Sequence, residues 1–195
     1  MKIAIYAGSF NPIHNGHLSV AEAALSEGFE EVWLVVSPQN PHKKEQELWP
    51  FERRLKLVEL AIQSLPKLKS SDCETRLSRP SYTINTLQYL KNCYPQHQFH
   101  LLIGGDNLLK FRLWKNYIQI MNEFGLVVYP RSTGLNAIND PHPNIRFIQA
   151  PLLEISSSEI RNRLSENISI HGLVPDEVEK YLLQNLKNDR SKSVF

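Results

Sequence analysis

The segment "GSFNPIHNGH" sets His14 and His17 three residues apart, directly behind an apolar run that ends in Gly8. Imidazoles at this spacing serve one of three purposes: they ligate a metal, they donate hydrogen bonds to phosphate oxygens, or they fill a strand-to-helix turn without a chemical role. Catalytic zinc takes three protein ligands and structural zinc four. His14 and His17 supply two, no cysteine or carboxylate stands close by, and a third ligand such as His42 must come from elsewhere in the chain. A phosphate site asks for less. Glycine lets the backbone approach a ligand and Pro12 stiffens the turn. A helix expected to begin near Gly16 or His17 aims its free N–H groups back at the strand end, which favours an anion before any side chain is counted. Two histidines within one Gly/Pro-bearing turn weaken the incidental reading, and phosphate is preferred.

A second segment points the same way. In "ISSSEIRNRL", Ser156 and Glu159 have capping-box spacing, so a helix starts here. The hydroxyls of Ser157 and Ser158 sit at that start, and Arg161 adds a planar, permanently charged fork suited to phosphate. Alone, the segment is equally an ordinary capped helix with a surface arginine. Paired with the first, it supplies a second anion-binding element far along the chain.

These residues need a scaffold that brings strand ends and helix starts to one edge. "KIAIYA" reads as a first strand, and "HLSVAEAAL" has apolar residues at Leu18, Ala21, Ala24 and Leu25, a helical spacing that Gly28 stops. "EVWLVVS" is a nearly unbroken apolar run, as in a strand covered on both faces. "FERRLKLVELAIQSL" and "TINTLQYLKNCY" are helical, and "FHLLIGGD" and "FGLVVYP" are strands with "LLKFRLWKNYIQIM" helical between them. "IRFIQA" is a further strand candidate, and "SSSEIRNRL" and "PDEVEKYLLQNL" are helical. Strands alternating with helices predict an α/β, doubly wound, Rossmann-like parallel sheet with helices on both faces, followed by a small helical C-terminal part at about 157–188. The reading is one domain over 1–195, with 189–195 as a frayed tail. Ligands in such sheets bind at the carboxyl ends of the strands, where the winding reverses. The proline-bearing stretch "SPQNPHKKEQELWP" is too long for a tight turn and is expected to be a loop.

Composition narrows the function classes. The chain of 195 residues is 42% hydrophobic and 22% charged with a formal charge of +2, which gives no global electrostatic case for nucleic-acid binding. No apolar run approaches membrane-spanning length. Cys73 and Cys93 lack metal-type spacing, and with no signal-peptide-like segment they are expected to be free thiols in the cytoplasm.

"GSFNPIHNGH" resembles the G-x-F-x-P-x-H-x-G-H signature of the nucleotidyltransferase superfamily, and "ISSSEIR" resembles that family's I-S-S-T-x-I-R element. Ser9 and Asn11 stand where relatives often carry Thr and Asp, and Ser158 replaces the commoner Thr. With "PHK", "RPSYT", "IGGDN" and "LWKNY" in order between them, the chain resembles bacterial nicotinate-nucleotide adenylyltransferases over nearly its whole length. The resemblance implies adenylyl transfer from ATP, with Mg²⁺, to nicotinate mononucleotide, giving deamido-NAD and pyrophosphate. It makes His17, His14 and Arg161 the catalytic group, with His17 at the α-phosphate. It assigns Gly8, Ser9, Phe10, Gly104, Asp106, Ser157, Ser158 and Lys43 to ATP alongside them, with Lys44 an alternative to Lys43. It assigns Tyr82, Thr83, Asp106, Trp114, Lys115 and Arg131 to the mononucleotide, and Arg54 also matches a positively charged position. Trp114 has the competing role of packing its own helix, and Asp106 that of capping one. The expected partners are these small molecules, with neither nucleic acid nor membrane, and a homo-oligomer is compatible with the sequence. Alternatives are an adenylyltransferase for nicotinamide mononucleotide or pantetheine phosphate, of which the latter has no ring for "SYT" and "LWKNY" to hold, and a non-catalytic nucleotide sensor.

Overall fold

The computed structural model describes residues 1–38, 48–78, 80–129, 142–149 and 153–192. Strand β1 (Lys2–Gly8) leads into helix α1 (Asn15–Ser26), then β2 (Glu31–Val36), α2 (Phe51–Ile62) and β3 (Leu68–Ser71). A 3₁₀ turn (Cys73–Arg76) precedes α3 (Thr83–Cys93), β4 (Gln98–Gly104) and α4 (Gly105–Lys110). A second 3₁₀ turn (Phe111–Leu113), α5 (Tyr117–Glu123), β5 (Leu126–Tyr129), β6 (Ile145–Phe147), α6 (Ser157–Ser165) and α7 (Asp176–Lys192) follow.

All pairings are parallel, in the order β3-β2-β1-β4-β5-β6. The winding therefore reverses between β1 and β4, and that crevice opens at the carboxyl ends, where Gly8 and Gly104 lie. Alternation along the strands makes two cores. Ala4, Tyr6, Val32, Leu34 and Tyr129 belong to one, with residues of α1, α2, α6 and α7. Ile3, Ile5, Val35, Leu101 and Val128 belong to the other, with residues of α3, α5 and Phe111. This is the doubly wound arrangement expected from the sequence.

Two local features differ from the sequence reading. β3 is a short edge strand with Leu68 as its buried residue; "LKSS" carries no apolar run to announce it. The stretch 108–121 is not one helix. Trp114 is extended and Asn116 sits at φ 55°, a left-handed conformation that breaks the helix between Leu113 and Tyr117. α7 spans Asp176–Lys192, and 193–195 lie outside the described residues. Gly28 does end α1, at φ 89°. The central part of the 37–50 loop lies outside the described residues, and with it Lys43, as does Arg131. Among the described residues no helix is long and apolar enough to cross a membrane.

Cys73 and Cys93 are both free, the first buried and the second exposed. Burial pushes the Cys73 thiol above its usual pKa, which lowers its thiolate fraction as well as its access. Reaction with a chromogenic disulfide at pH 8 is expected to titrate one thiol fast and the second only on adding denaturant, and Cys93→Ser to abolish the fast phase. Two fast thiols in the native protein would contradict this packing.

Candidate functional site

α1 begins at Asn15 with His14 as its N-cap, slightly earlier than the sequence suggested. The two imidazoles stack face to face, centroids 3.7 Å apart and 28° between planes. His17 Nδ1 accepts the backbone N–H of His14 at 3.2 Å, and the His17 N–H donates to the His14 carbonyl at 2.9 Å. A ring nitrogen that accepts carries no proton, so the bond to Nδ1 assigns the proton of a neutral His17 to Nε2. Gly16 is explained by the same packing: a Cβ there would meet the His14 ring at 3.1 Å. His14 is 3% exposed, and His17 is partly exposed.

The residues before the histidines form one contact chain. Phe10 has φ 44°, unusual for a large side chain, and its buried ring lies edge-on to His17 at 5.1 Å. A Cβ on Gly8 would touch that ring at 3.2 Å. Thus Gly8 admits Phe10, Phe10 backs His17, His17 stacks on His14, and Gly16 admits the stack. Ser9 is buried beside them. Asn11 Oδ1 accepts the Trp49 N–H at 3.0 Å, which a carboxylate would also do, so Asn in place of Asp keeps the contact.

The distant segment docks on this turn. α6 starts at Ser157 with Ser156 as a true N-cap, its hydroxyl accepting the Glu159 N–H at 3.1 Å. Ser157 Oγ donates to the Pro12 carbonyl at 2.9 Å, and Arg161 Nη1 donates to the Asn11 carbonyl at 2.8 Å. Arg161 Nη2 also reaches Ser158 Oγ at 3.4 Å, and Ser158 is exposed. Asn15 is tied to the chain before α7, its N–H to the Leu173 carbonyl at 2.9 Å and its amide to that of Gly172 at 2.8 Å.

Across β1 lies a cleft of about 360 Å³, bordered by Gly8, Gly104, Glu74, Ser81, Tyr82, Thr83, Trp114 and Lys115. The helix break at 114–116 is what turns Trp114 and Lys115 into it. Trp114 packs on Phe111, centroids 5.5 Å apart, and also borders the cleft, so packing its own helical segment does not withdraw it from the cleft wall. The Lys115 ammonium stands 4.3 Å from the centre of the Tyr82 ring. Gly104, not Asp106, holds the N-cap position of α4; Asp106 lies in its first turn with a carboxylate oxygen against Gly104, where a Cβ would collide with it.

Sequence reasoning did not reach three features of this edge. Tyr6 and Tyr129, 123 residues apart, share a buried hydroxyl–hydroxyl hydrogen bond of 3.1 Å beside His17. Glu74 is buried under Ser81 and Thr86. Arg54, noted in the sequence only for its match to a family position, is 1% exposed and spends its guanidinium on carbonyls. Nη1 donates to Ser9 and Ser37, both at 2.7 Å, Nη2 to Pro38 at 3.0 Å and Nε to Trp49 at 2.9 Å. Local spacing announces none of these, because each partner comes from a different element. Among the described residues no group of three His, Cys, Asp or Glu gathers to hold a metal.

Two helix N-termini joined over a histidine pair, beside a cleft with aromatic walls at a sheet's switch point, define a mononucleotide-handling α/β protein. The chain belongs to the cytidylyltransferase-like family, whose profile matches residues 5–163, and within it to the nicotinate-nucleotide adenylyltransferases. It is 48% identical over 184 residues to a Cytophaga hutchinsonii protein named "Probable nicotinate-nucleotide adenylyltransferase", covering 94% of this chain and 96% of that one. A Bacteroides fragilis protein of the same name is 43% identical, with 94% and 92% covered. In fold, it is similar to the Plasmodium falciparum nicotinic acid mononucleotide adenylyltransferase complexed with NaAD, with a TM-score of 0.79, 23% identity and 94% and 95% of the two chains covered.

Arg54→Met removes the donors to four carbonyls at this edge. The expected cost is about 3 kcal/mol or more, read as a lower urea midpoint at unchanged slope. A midpoint within error of the wild type would show that the carbonyls find other donors.

Proposed function

We propose that the chain transfers the adenylyl group of ATP to the phosphate of nicotinate mononucleotide, releasing pyrophosphate and forming deamido-NAD. The observation that carries this reading is the joining of the His14–His17 stack to the α6 start, next to a cleft walled by Tyr82 and Trp114. The first part suits a triphosphate and the second a pyridine ring. The family membership of full-length relatives supports the same pairing.

In the reaction, a phosphate oxygen of the mononucleotide bonds to the α-phosphorus while the bond from that phosphorus to the bridging oxygen breaks and pyrophosphate leaves. The nucleophile is already an anion, so no general base is needed. What the protein supplies is alignment and donors placed where charge gathers. His17 Nε2–H serves the α-phosphate, His14 and the α1 N-terminus hold the adjacent phosphates, and Ser157, Ser158 and Arg161 close the far side. Arg161 keeps further N–H donors beside its bond to Asn11. ATP enters as its Mg²⁺ complex, the ion carried by phosphate oxygens and water and withdrawing charge from them. Gly104 leaves room for the nucleotide and Asp106 accepts from ribose hydroxyls. On the other side of β1, Tyr82, Trp114 and Lys115 take the pyridine ring and its carboxylate, with Thr83 at the α3 start. Lys43, from the 37–50 loop, and Arg131 complete the set assigned by family resemblance. A cytoplasmic setting suits ATP as co-substrate and two free thiols.

The deciding measurement is pyrophosphate release with ATP and, in turn, nicotinate mononucleotide, nicotinamide mononucleotide and pantetheine phosphate. The first is expected to be preferred; preference for another would reassign the substrate, and release with none would favour a sensor. His17→Ala is expected to lower kcat by roughly 10²–10³ while the ATP KM changes much less. A KM effect alone would make His17 a ground-state ligand. Gly16→Ala, which adds helix propensity but crowds His14, is expected to melt no lower than the wild type and still lose roughly tenfold or more in kcat.

A further inference from the structure

Glu74 is 3% exposed and borders the cleft. Both of its carboxylate oxygens accept hydroxyl hydrogen bonds: Oε2 from Ser81 Oγ at 2.8 Å and Oε1 from Thr86 Oγ1 at 2.9 Å. A charge withdrawn from water in this way is costly, and the two donors partly offset the loss. An apolar side chain would fill the same volume without that cost, so the carboxylate calls for a reason.

The reason lies in what the two donors bracket. Ser81 and Thr86 flank the start of α3, and Tyr82, its N-cap residue, offers no side-chain cap to the first turn. The usual Ser, Thr or Asp that would fix a helix start is missing there, and Glu74 fixes it from outside instead. Between the two anchored residues lie Tyr82 and Thr83. Tyr82 is held on one side through its neighbour Ser81 and meets the Lys115 ammonium with its ring. None of the hydrogen bonds of Glu74 reaches the histidine turn or α6.

We propose that Glu74 is a positioning residue for the mononucleotide half of the site: through Ser81 and Thr86 it sets where Tyr82 and the first amides of α3 stand, without serving the ATP half. The inference rests on the substrate reading given above. Alignment of a ring wall and a helix start is lost when a buried acceptor is deleted, because both hydroxyls must then find new partners.

The test is steady-state kinetics on the full-length protein, with ATP and nicotinate mononucleotide varied separately. Glu74→Ala is expected to raise the mononucleotide KM roughly tenfold or more and the ATP KM by no more than about twofold. Glu74→Gln keeps the shape and one good acceptor and is expected to fall between the two, which maintains the test should the alanine variant not fold. Ser81→Ala with Thr86→Ala is expected to reproduce the Glu74→Ala effect, and adding Glu74→Ala to that pair to change little further, as a shared network requires. Equal rises in both KM values, unchanged kinetics, or fully additive effects would overturn the role of Glu74 while leaving the substrate reading intact. Wild-type inactivity on nicotinate mononucleotide would overturn both.

Discussion

A single buried guanidinium holds the functional edge together. Arg54 leaves α2 and donates to carbonyls of Ser9, Ser37, Pro38 and Trp49, which belong to the β1 exit, the β2 exit and the chain entering α2. Loops at strand ends expose carbonyls that no sheet or helix satisfies, and burying them unpaired would be prohibitive. One planar cation with five donors answers several at once, and burial lowers its pKa from the usual arginine value. The Ser9 carbonyl is the critical partner. It fixes the backbone immediately before Phe10, whose left-handed conformation and ring in turn fix His17. A positive charge singled out by its match to a family position is here a structural part of the turn that carries the histidines.

From that anchor, the site is built by exclusion of side chains as much as by their presence. Gly8 and Gly16 each lack a Cβ where an aromatic ring lies about 3 Å away, and Gly104 where the Asp106 carboxylate folds back. The histidine pair can then stack at a helix start with its tautomer fixed by one backbone hydrogen bond. Ser157 and Arg161 close the construction from 145 and 150 residues away, again through backbone carbonyls, those of Pro12 and Asn11. Binding through main-chain oxygens makes this docking tolerant of side-chain identity at the turn. Asn11 in place of an acid is one instance.

The legible parts of the sequence were those governed by short-range rules. Long apolar runs gave β1, β2, β4 and β5, the Ser156–Glu159 spacing gave the α6 start, and the Gly/Pro/His turn gave the passage from β1 into α1. Three things escaped for definite physical reasons. β3 is an edge strand with a single buried residue, so no periodicity marks it. The break at Trp114–Asn116 places Asn116 in a left-handed conformation, inside a stretch whose residues otherwise suit a helix. The Tyr6–Tyr129 and Glu74–Ser81–Thr86 pairings depend on register and on elements meeting in space. The same break aims Trp114 and Lys115 into the cleft, so the local rule fails where the site needs it to fail.

The electrostatics follow from this architecture and not from net charge. A chain with formal charge +2 has little long-range field with which to gather two polyanions. A parallel sheet with helical crossovers turns helix starts toward the strand carboxyl ends; here the α3 start borders the cleft, while the α6 start docks on the turn that precedes α1. Their N–H groups are fixed dipoles in a partly dry setting, so they need no reorganisation as charge moves from nucleophile to leaving group. Mobile lysines would attract the same anions but would have to be ordered on every turnover. In the proposed reaction the helix starts would add positive potential to that of side chains such as His17 and Arg161. The cost of burying the Glu74 carboxylate on this edge is offset by the two hydroxyl donors, Ser81 and Thr86, that face its oxygens.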